Sequence, residues 1–268
     1  MLTTCDPRRL RRLILDCSWR ASAGHIGSAL SVADILSAVY GELLAGAHPA
    51  DPDRDVFVMS KGHAALAQYA AQFLRGWMSR ETLDTYGRDG TLLGTHPDDA
   101  LPGVEFSSGS LGQGLSFAAG IALGYRLRRR PQRVFALVSD AECNAGAIWE
   151  AAAFAAHHRL SNLIVFVDAN GQQALGRTSD IMHPSPLADR WRGFGWEVVE
   201  ADGHDVAGLV GIVSQFETAP GSGAPHVVIA ETIFGKGVSF MERQLDWHYV
   251  HMSEDDYRRA AAEVGGDA

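Results

Sequence analysis

Residues 133–172 read RVFALVSDAECNAGAIWEAAAFAAHHRLSNLIVFVDANGQ. Two apolar runs, Arg133–Ser139 and Asn162–Asp168, flank an alanine-rich stretch, Ala145–His158, whose pattern predicts a helix. The runs do not alternate polar with apolar residues, as a strand with one wet face would. Unbroken Val, Leu, Ile and Phe mark strands covered on both faces, which is the habit of a parallel sheet. The alternation continues downstream with a strand at Trp196–Glu200, a helix at Val206–Phe216 and a strand at His226–Glu231. An α/β fold is predicted: a doubly wound, mostly parallel sheet with helices on both faces.

Upstream, apolar spacing predicts helices over Pro7–Arg20, Ser31–Leu44 and Ala64–Trp77, with a short β-rich run at Val56–Met59. The segment Tyr86–Ser110 is mostly Gly, Pro, Asp, Thr and Ser, a loop long enough to mark function or a partner surface. Leu111–Arg128 reads as a small-residue helix able to pack closely on its neighbours. With no internal repeat and no linker, residues 1–268 read as one domain, with 1–8 and 264–268 as frayed ends.

The 268 residues carry 23 Lys and Arg against 32 Asp and Glu, a formal net charge of −9. That balance argues against a nucleic-acid or anionic-membrane binder. The three cysteines, Cys5, Cys17 and Cys143, are far apart, which argues against a disulfide framework and a zinc-type spacing. The opening MLTTCDPRRLRRLILDCSWR puts charge where a signal peptide needs an apolar core, and no run approaches membrane-spanning length. A soluble, reduced, cytoplasmic protein is expected.

In doubly wound sheets, ligands bind beyond the carboxyl ends of strands. Two strand ends here finish in groups able to hold a metal: Ser139-Asp140-Ala141-Glu142 and Asp168-Ala169-Asn170-Gly171-Gln172. Asp140 and Asn170 are thirty positions apart, about one strand-helix-strand unit, so adjacent strands would bring them together. A carboxylate, an amide oxygen and a backbone carbonyl are hard ligands that suit Mg²⁺. Taken alone, the pair is read first as residues that begin turns after strands.

The remaining motifs change that weighting. Gly24-His25-Ile26-Gly27-Ser28, Ser60-Lys61-Gly62-His63, Gly94-Thr95-His96-Pro97 and Ser108-Gly109-Ser110-Leu111-Gly112-Gln113-Gly114 precede the Asp/Asn pair. Ile233-Phe234-Gly235-Lys236-Gly237 and Trp247-His248 follow it. In this order they resemble the thiamine diphosphate-binding domain of transketolases over about Arg9–Ala262, and most of all the N-terminal subunit of transketolases split into two polypeptides.

The resemblance implies thiamine diphosphate anchored by Mg²⁺, or by another divalent cation such as Ca²⁺ or Mn²⁺. Asp140, Asn170 and the carbonyl of Gln172 would be the metal ligands. Gly109 and Leu111 would approach the cofactor through backbone groups, as would the Ser139-Asp140-Ala141-Glu142 turn. His63 would reach the diphosphate, with Ser28 nearby, and His25, His96 and His248 would surround the reactive carbon and the sugar hydroxyls. Imidazoles suit ketol transfer because they pass protons near neutral pH and donate hydrogen bonds to developing negative charge. The other histidines have no motif support, and Asp202-Gly203-His204-Asp205, which also fits the family, is expected to be a turn and helix cap.

Departures from the family pattern stand at Ser139 and Ala141, where glycines are usual, at Ala145, where a glutamate is common, and at Phe234, where a lysine is usual. The family's pyrimidine-binding domain, with its cofactor-ionising glutamate, is not matched in this chain. The resemblance therefore implies a partner protein carrying that domain, in an α2β2 assembly acting on small sugar substrates. The expected activity is transfer of a two-carbon ketol unit from a ketose, or its phosphate, to an aldehyde. Delivery to a carrier-bound acceptor, and a degenerate regulatory role, are the alternatives.

Overall fold

The computed structural model describes residues 5–184, 186–218 and 223–265. Its strands are β1 (Val56–Met59), β2 (Val134–Ser139), β3 (Leu163–Ala169), β4 (Gln172–Gln173), β5 (Gly176–Arg177), β6 (Glu197–Asp202) and β7 (His226–Glu231). Its helices are α1 (Pro7–Ala21), α2 (Ile26–Ser31), α3 (Ala33–Ala38), α4 (Ala65–Leu74), α5 (Arg80–Leu83), α6 (Gln113–Leu127), α7 (Gly146–His157), α8 (Thr178–Ile181), α9 (Leu187–Gly193), α10 (Val206–Thr218) and α11 (Glu254–Val264). Five strands form one sheet in the order β1-β2-β3-β7-β6, every neighbouring pair parallel. β4 and β5 make a small separate hairpin.

Alternation along the strands sorts the core into two layers. Phe57, Met59, Phe135, Leu137, Ile164 and Phe166 point to one side, where they join Leu10, Ile14, Leu36, Tyr69 and Leu209 from α1, α3, α4 and α10. Val56, Val58, Val134, Ala136, Val165 and Val167 point to the other, against Leu115, Ala118, Ala119, Ala122, Ile148, Ala152 and Trp191 from α6, α7 and α9. The face of smaller side chains thus receives the alanine-rich helices, and the face with the aromatics receives Leu- and Ile-bearing ones. Each layer closes at the spacing its own side chains set.

Three departures from the expected boundaries stand out. The helix expected over Ser31–Leu44 begins at Ile26, breaks at Val32 (φ −98°, ψ 3°) and ends in a wide turn over Val39–Leu43. Its early start depends on Gly27, where any side chain would overlap the Phe234 ring. Near the start, the described residues from Cys5 onward are packed where the sequence suggests fraying up to residue 8: Cys5 is fully buried, and Asp6 caps α1 by accepting from the backbone N–H of Arg8 (3.0 Å) and Arg9 (2.9 Å). At the other end, helix α11 runs through Val264, where the sequence suggests fraying.

The apolar pattern predicts no helix at α11 because its sequence, EDDYRRAAAEV, is mostly charged or alanine. A capping box between Ser253 and Asp256 starts it, Tyr257 stacks on Trp19 at 4.4 Å, and the Tyr257 hydroxyl donates to Asp16 Oδ1 at 2.8 Å. Cys5, Cys17 and Cys143 are free and buried. No helix among the described residues is long and apolar enough to cross a membrane.

Phe166 is fully buried in the middle strand of the sheet. Phe166→Ala should lower the unfolding free energy by about 3–5 kcal/mol, seen as a reduced urea midpoint. A loss under about 1 kcal/mol would contradict the packing described.

Candidate active site

The parallel β2–β3 register pairs Ser139 with Asp168, so both strands leave the sheet at the same edge. Asp140 follows at one strand end and Asn170 at the next. The backbone N–H of Asp140 donates to the Asp168 carbonyl (3.2 Å), and that of Gly171 donates back to Asp140 Oδ2 (3.0 Å). The two predicted ligands are therefore held by mutual contacts of their own turns. Ala141 has φ −62° and ψ −38°, an ordinary helical conformation, so its methyl imposes no backbone strain.

Above these ends lies a cavity of about 200 Å³. It is lined by His25, Ser28, His63, His96, Gly109, Leu111, Ser139, Ala141, Asn170, Gln172 and His248, eleven of the predicted residues. Asp140 borders a larger neighbouring cleft of about 980 Å³, which shares Asn170 with the first but holds none of these four histidines. The chemistry-bearing side chains converge on the smaller cavity, and that one is the candidate active site. Glu142 does not face either space. Its buried carboxylate accepts from Ser60 Oγ (2.5 Å) and from the N–H groups of Gly112 (2.7 Å) and Ser139 (3.2 Å). It thereby clasps three of the motif loops together.

Those loops approach closely because they are glycine-bearing. A side chain at Gly62 would overlap Ser108, and one at Gly114 would overlap Ser60. His25 sits in the left-handed region (φ 61°, ψ 16°) just before α2, and its N–H donates to the His248 carbonyl (3.1 Å). Ring centroids lie 4.9 Å apart for His25 and His248, 5.5 Å for His25 and His63, 5.5 Å for His63 and His248, and 6.3 Å for His25 and His96. His63 Nε2 is 2.8 Å from Ser28 Oγ, while His25 Nδ1 is buried with no partner among the described residues.

All four imidazoles are held below their ordinary pKa. Burial is the leading cause for each. His63, lowered first by burial, also feels Lys61 and the other three histidines, and His248 is pushed down to about 4 by burial, His25 and Lys61. A cluster of neutral imidazoles results, each with one donor and one acceptor nitrogen.

The strand ends behave in the opposite sense. Burial, and then the neighbouring Asp168, raise the Asp140 carboxyl to about 6. A carboxylate disfavoured as a bare anion, next to an amide oxygen, fits a cation placed between them. Among the described residues no group of three His, Cys, Asp or Glu is set to hold a metal ion. A cation here would therefore rest on one carboxylate plus neutral oxygens, a donor set that suits a hard ion keeping water or phosphate oxygens.

Four features are not evident from the sequence alone. Lys61 lines the cavity and is fully buried, paired with the fully buried Asp168. Phe234 forms an apolar wall, with its ring 6.1 Å from that of His248. Gln173 and Ala174 complete the rim. Asp202-Gly203-His204-Asp205 is indeed a capped turn, with the Gly208 N–H on Asp205 Oδ1 at 3.0 Å. The His204 ring does more, bridging Asp34 (2.6 Å) and the N–H of Ile233 (2.9 Å) at the root of the Phe234 loop. A charge at position 168, inside an otherwise apolar strand, was the available sign that a buried partner had to exist.

The histidine cluster has a consequence for stability. The folded pKa of His248 lies below the unfolded value, so the unfolded chain binds the proton first, and stability present above pH 6.5 is lost as pH falls towards 4. His248→Gln should shrink the loss between about pH 7 and pH 5 by on the order of 1 kcal/mol, measured by urea unfolding at both values. An unchanged pH dependence would contradict a buried neutral His248.

A family model described as transketolase, thiamine diphosphate binding domain, matches residues 7–268. The chain is 40% identical over 258 residues to the 6-deoxy-6-sulfo-D-fructose transketolase subunit SqwG of a Clostridium species, covering 95% of this chain and 93% of that protein. It is 35% identical over 256 residues to one of the subunits of the apulose-4-phosphate transketolase of Phocaeicola vulgatus, covering 95% of this chain and 90% of that protein. Among solved structures, transketolase from Campylobacter jejuni superposes with a TM-score of 0.89 at 28% identity, covering 97% of this chain and 42% of that one. Geometry and likeness agree: the chain belongs to the transketolase family and is the thiamine diphosphate-binding part of a transferase of that type.

Proposed function

We propose that the chain binds thiamine diphosphate with Mg²⁺, or a similar divalent cation, and acts with a separate protein carrying the pyrimidine-binding domain. The assembly, α2β2, moves a two-carbon ketol unit from a ketose, or its phosphate, to an aldehyde. The observation that carries this reading is the convergence of four neutral imidazoles on one cavity beside the paired ends of β2 and β3. The need for a partner is supported by relative length. The chain spans under half of the Campylobacter transketolase but more than nine-tenths of the protein named as subunit SqwG. The relatives named for 6-deoxy-6-sulfo-D-fructose and apulose-4-phosphate favour a ketose with an anionic tail as donor.

Asp140, the Asn170 amide oxygen and the Gln172 carbonyl would hold the cation, and the backbone at Gly109, Leu111 and the Ser139–Glu142 turn would receive the diphosphate. Thiamine diphosphate bound there supplies a carbon centre able to accept and release the ketol unit. The chain's own part is placement and proton handling. His63, tied to Ser28, would help hold the diphosphate. His25, His96 and His248 ring the space above it, each able to take a proton from a substrate hydroxyl at one nitrogen while donating from the other. Because burial keeps them neutral, they are ready as bases at neutral pH without prior deprotonation. The apolar Phe234 wall would limit water around these exchanges.

Asp140→Ala removes the charged ligand and should weaken Mg²⁺-dependent thiamine diphosphate binding more than about 100-fold by calorimetry. Unchanged affinity refutes the cation assignment. His25→Ala should lower kcat about 10²–10⁴-fold in the reconstituted two-component enzyme with cofactor affinity nearly kept. Robust ketol transfer by the purified chain alone would overturn the partner requirement.

A further inference from the structure

Asp168, near the end of β3, is the meeting point of four donors. Lys61 Nζ, Ser31 Oγ (2.8 Å) and Asn170 Nδ2 (2.7 Å) reach its Oδ2, and Thr232 Oγ1 reaches its Oδ1. They come from four separate segments: the turn after β1, the end of α2, the turn after β3 and the turn after β7. Lys61 and Asp168 are both fully buried. A buried ion pair adds little to stability, since apolar residues of the same volume often serve the fold as well or better.

What an apolar pair cannot do is orient an amide. An ionised carboxylate only accepts, so beside Asp168 the Asn170 side chain must turn its NH₂ inward and leave Oδ1 facing out. That oxygen here accepts the Gln172 N–H at 2.9 Å, and Asn170 lines the cavity. The backbone carbonyl of the same Asp168 receives the Asp140 N–H, so one residue sets the stance of both strand ends. Lys61 balances the Asp168 charge, which leaves Asp140 as the acidic group offered to a cation and denies the inner carboxylate to it.

We propose that the buried Lys61–Asp168 pair is a positioning device for the cation site, fixing the Asn170 amide with its oxygen outward. The proposal rests on the functional reading above and adds two residues to it. Neither touches the reacting atoms; both act through Asn170 and Asp140.

The test is Mg²⁺ titration of the full chain in the presence of thiamine diphosphate, by calorimetry, alongside thermal unfolding without metal. In Lys61→Met/Asp168→Leu the pair is replaced by apolar groups of similar size. The metal-free unfolding temperature should fall, because Ser31, Asn170 and Thr232 lose their buried acceptor, and in the chain that still folds Mg²⁺ affinity falls about 10–100-fold, as when a group supporting a metal ligand is lost. Asp168→Asn serves if the double variant fails to fold. It leaves the Lys61 charge unbalanced and the Asn170 amide held only by the Gln172 N–H, and affinity should fall at least about tenfold. A folded variant of either kind that binds Mg²⁺ within about threefold of the wild type overturns the positioning role. A wild-type chain that takes up no Mg²⁺ under the same conditions overturns the functional reading itself, and the inference falls with it.

Discussion

β2 and β3 lie side by side and run the same way, and because Ser139 is level with Asp168 their turns leave the sheet together. Everything at the site depends on that register. A slip of one residue would turn the Val165 and Val167 face into the aromatic layer and send Asp140 and Asn170 apart. The register is protected by the two unlike core layers, since Val and Ala on one face and Phe and Leu on the other cannot be exchanged without overfilling one and emptying the other. The packing that fixes the fold is thus the same packing that sets two ligand-type residues at a common edge.

Charge is arranged around this edge in two zones. Inward, Lys61 and Asp168 cancel each other out of reach of solvent. Outward, the imidazoles of His25, His63, His96 and His248 are neutral because burial, and for most of them one another, disfavour a proton. Between the zones sits Asp140, whose negative charge burial and Asp168 oppose. A cavity with neutral imidazole walls and one disfavoured anion beside it is electrostatically unfinished, which is the condition expected where a cation and an anionic cofactor enter together.

Much of this was legible in the sequence because it depends on local signals. The continuous Val/Ile/Phe runs revealed the parallel sheet, and His226–Glu231 was bounded to the residue. The family resemblance carried by the ordered short motifs named eleven residues that line the cavity. What escaped depends on contacts between distant segments. Nothing near Glu142 says that its carboxylate would turn away from the cavity to clasp Ser60 and Gly112. Lys61 stands inside a recognised motif, yet its partner lies 107 positions away. Helix α11 escaped because charged residues cover most of it, and the Ser253–Asp256 cap and the Tyr257 stack that hold it to α1 lie outside any apolar pattern.

The contact between Gly27 and Phe234 carries a last implication. The ring occupies the volume that any side chain at position 27 would need, so the two positions cannot vary independently. A bulkier residue in α2 requires a smaller or longer-reaching one in the loop after β7, and the reverse exchange is just as constrained. Replacement of the aromatic ring by a flexible cationic chain would free space beside α2 and bring positive charge to the cavity wall in one step. Shape at one position and polarity at the other are therefore a single heritable choice, made by two residues more than two hundred places apart in the chain.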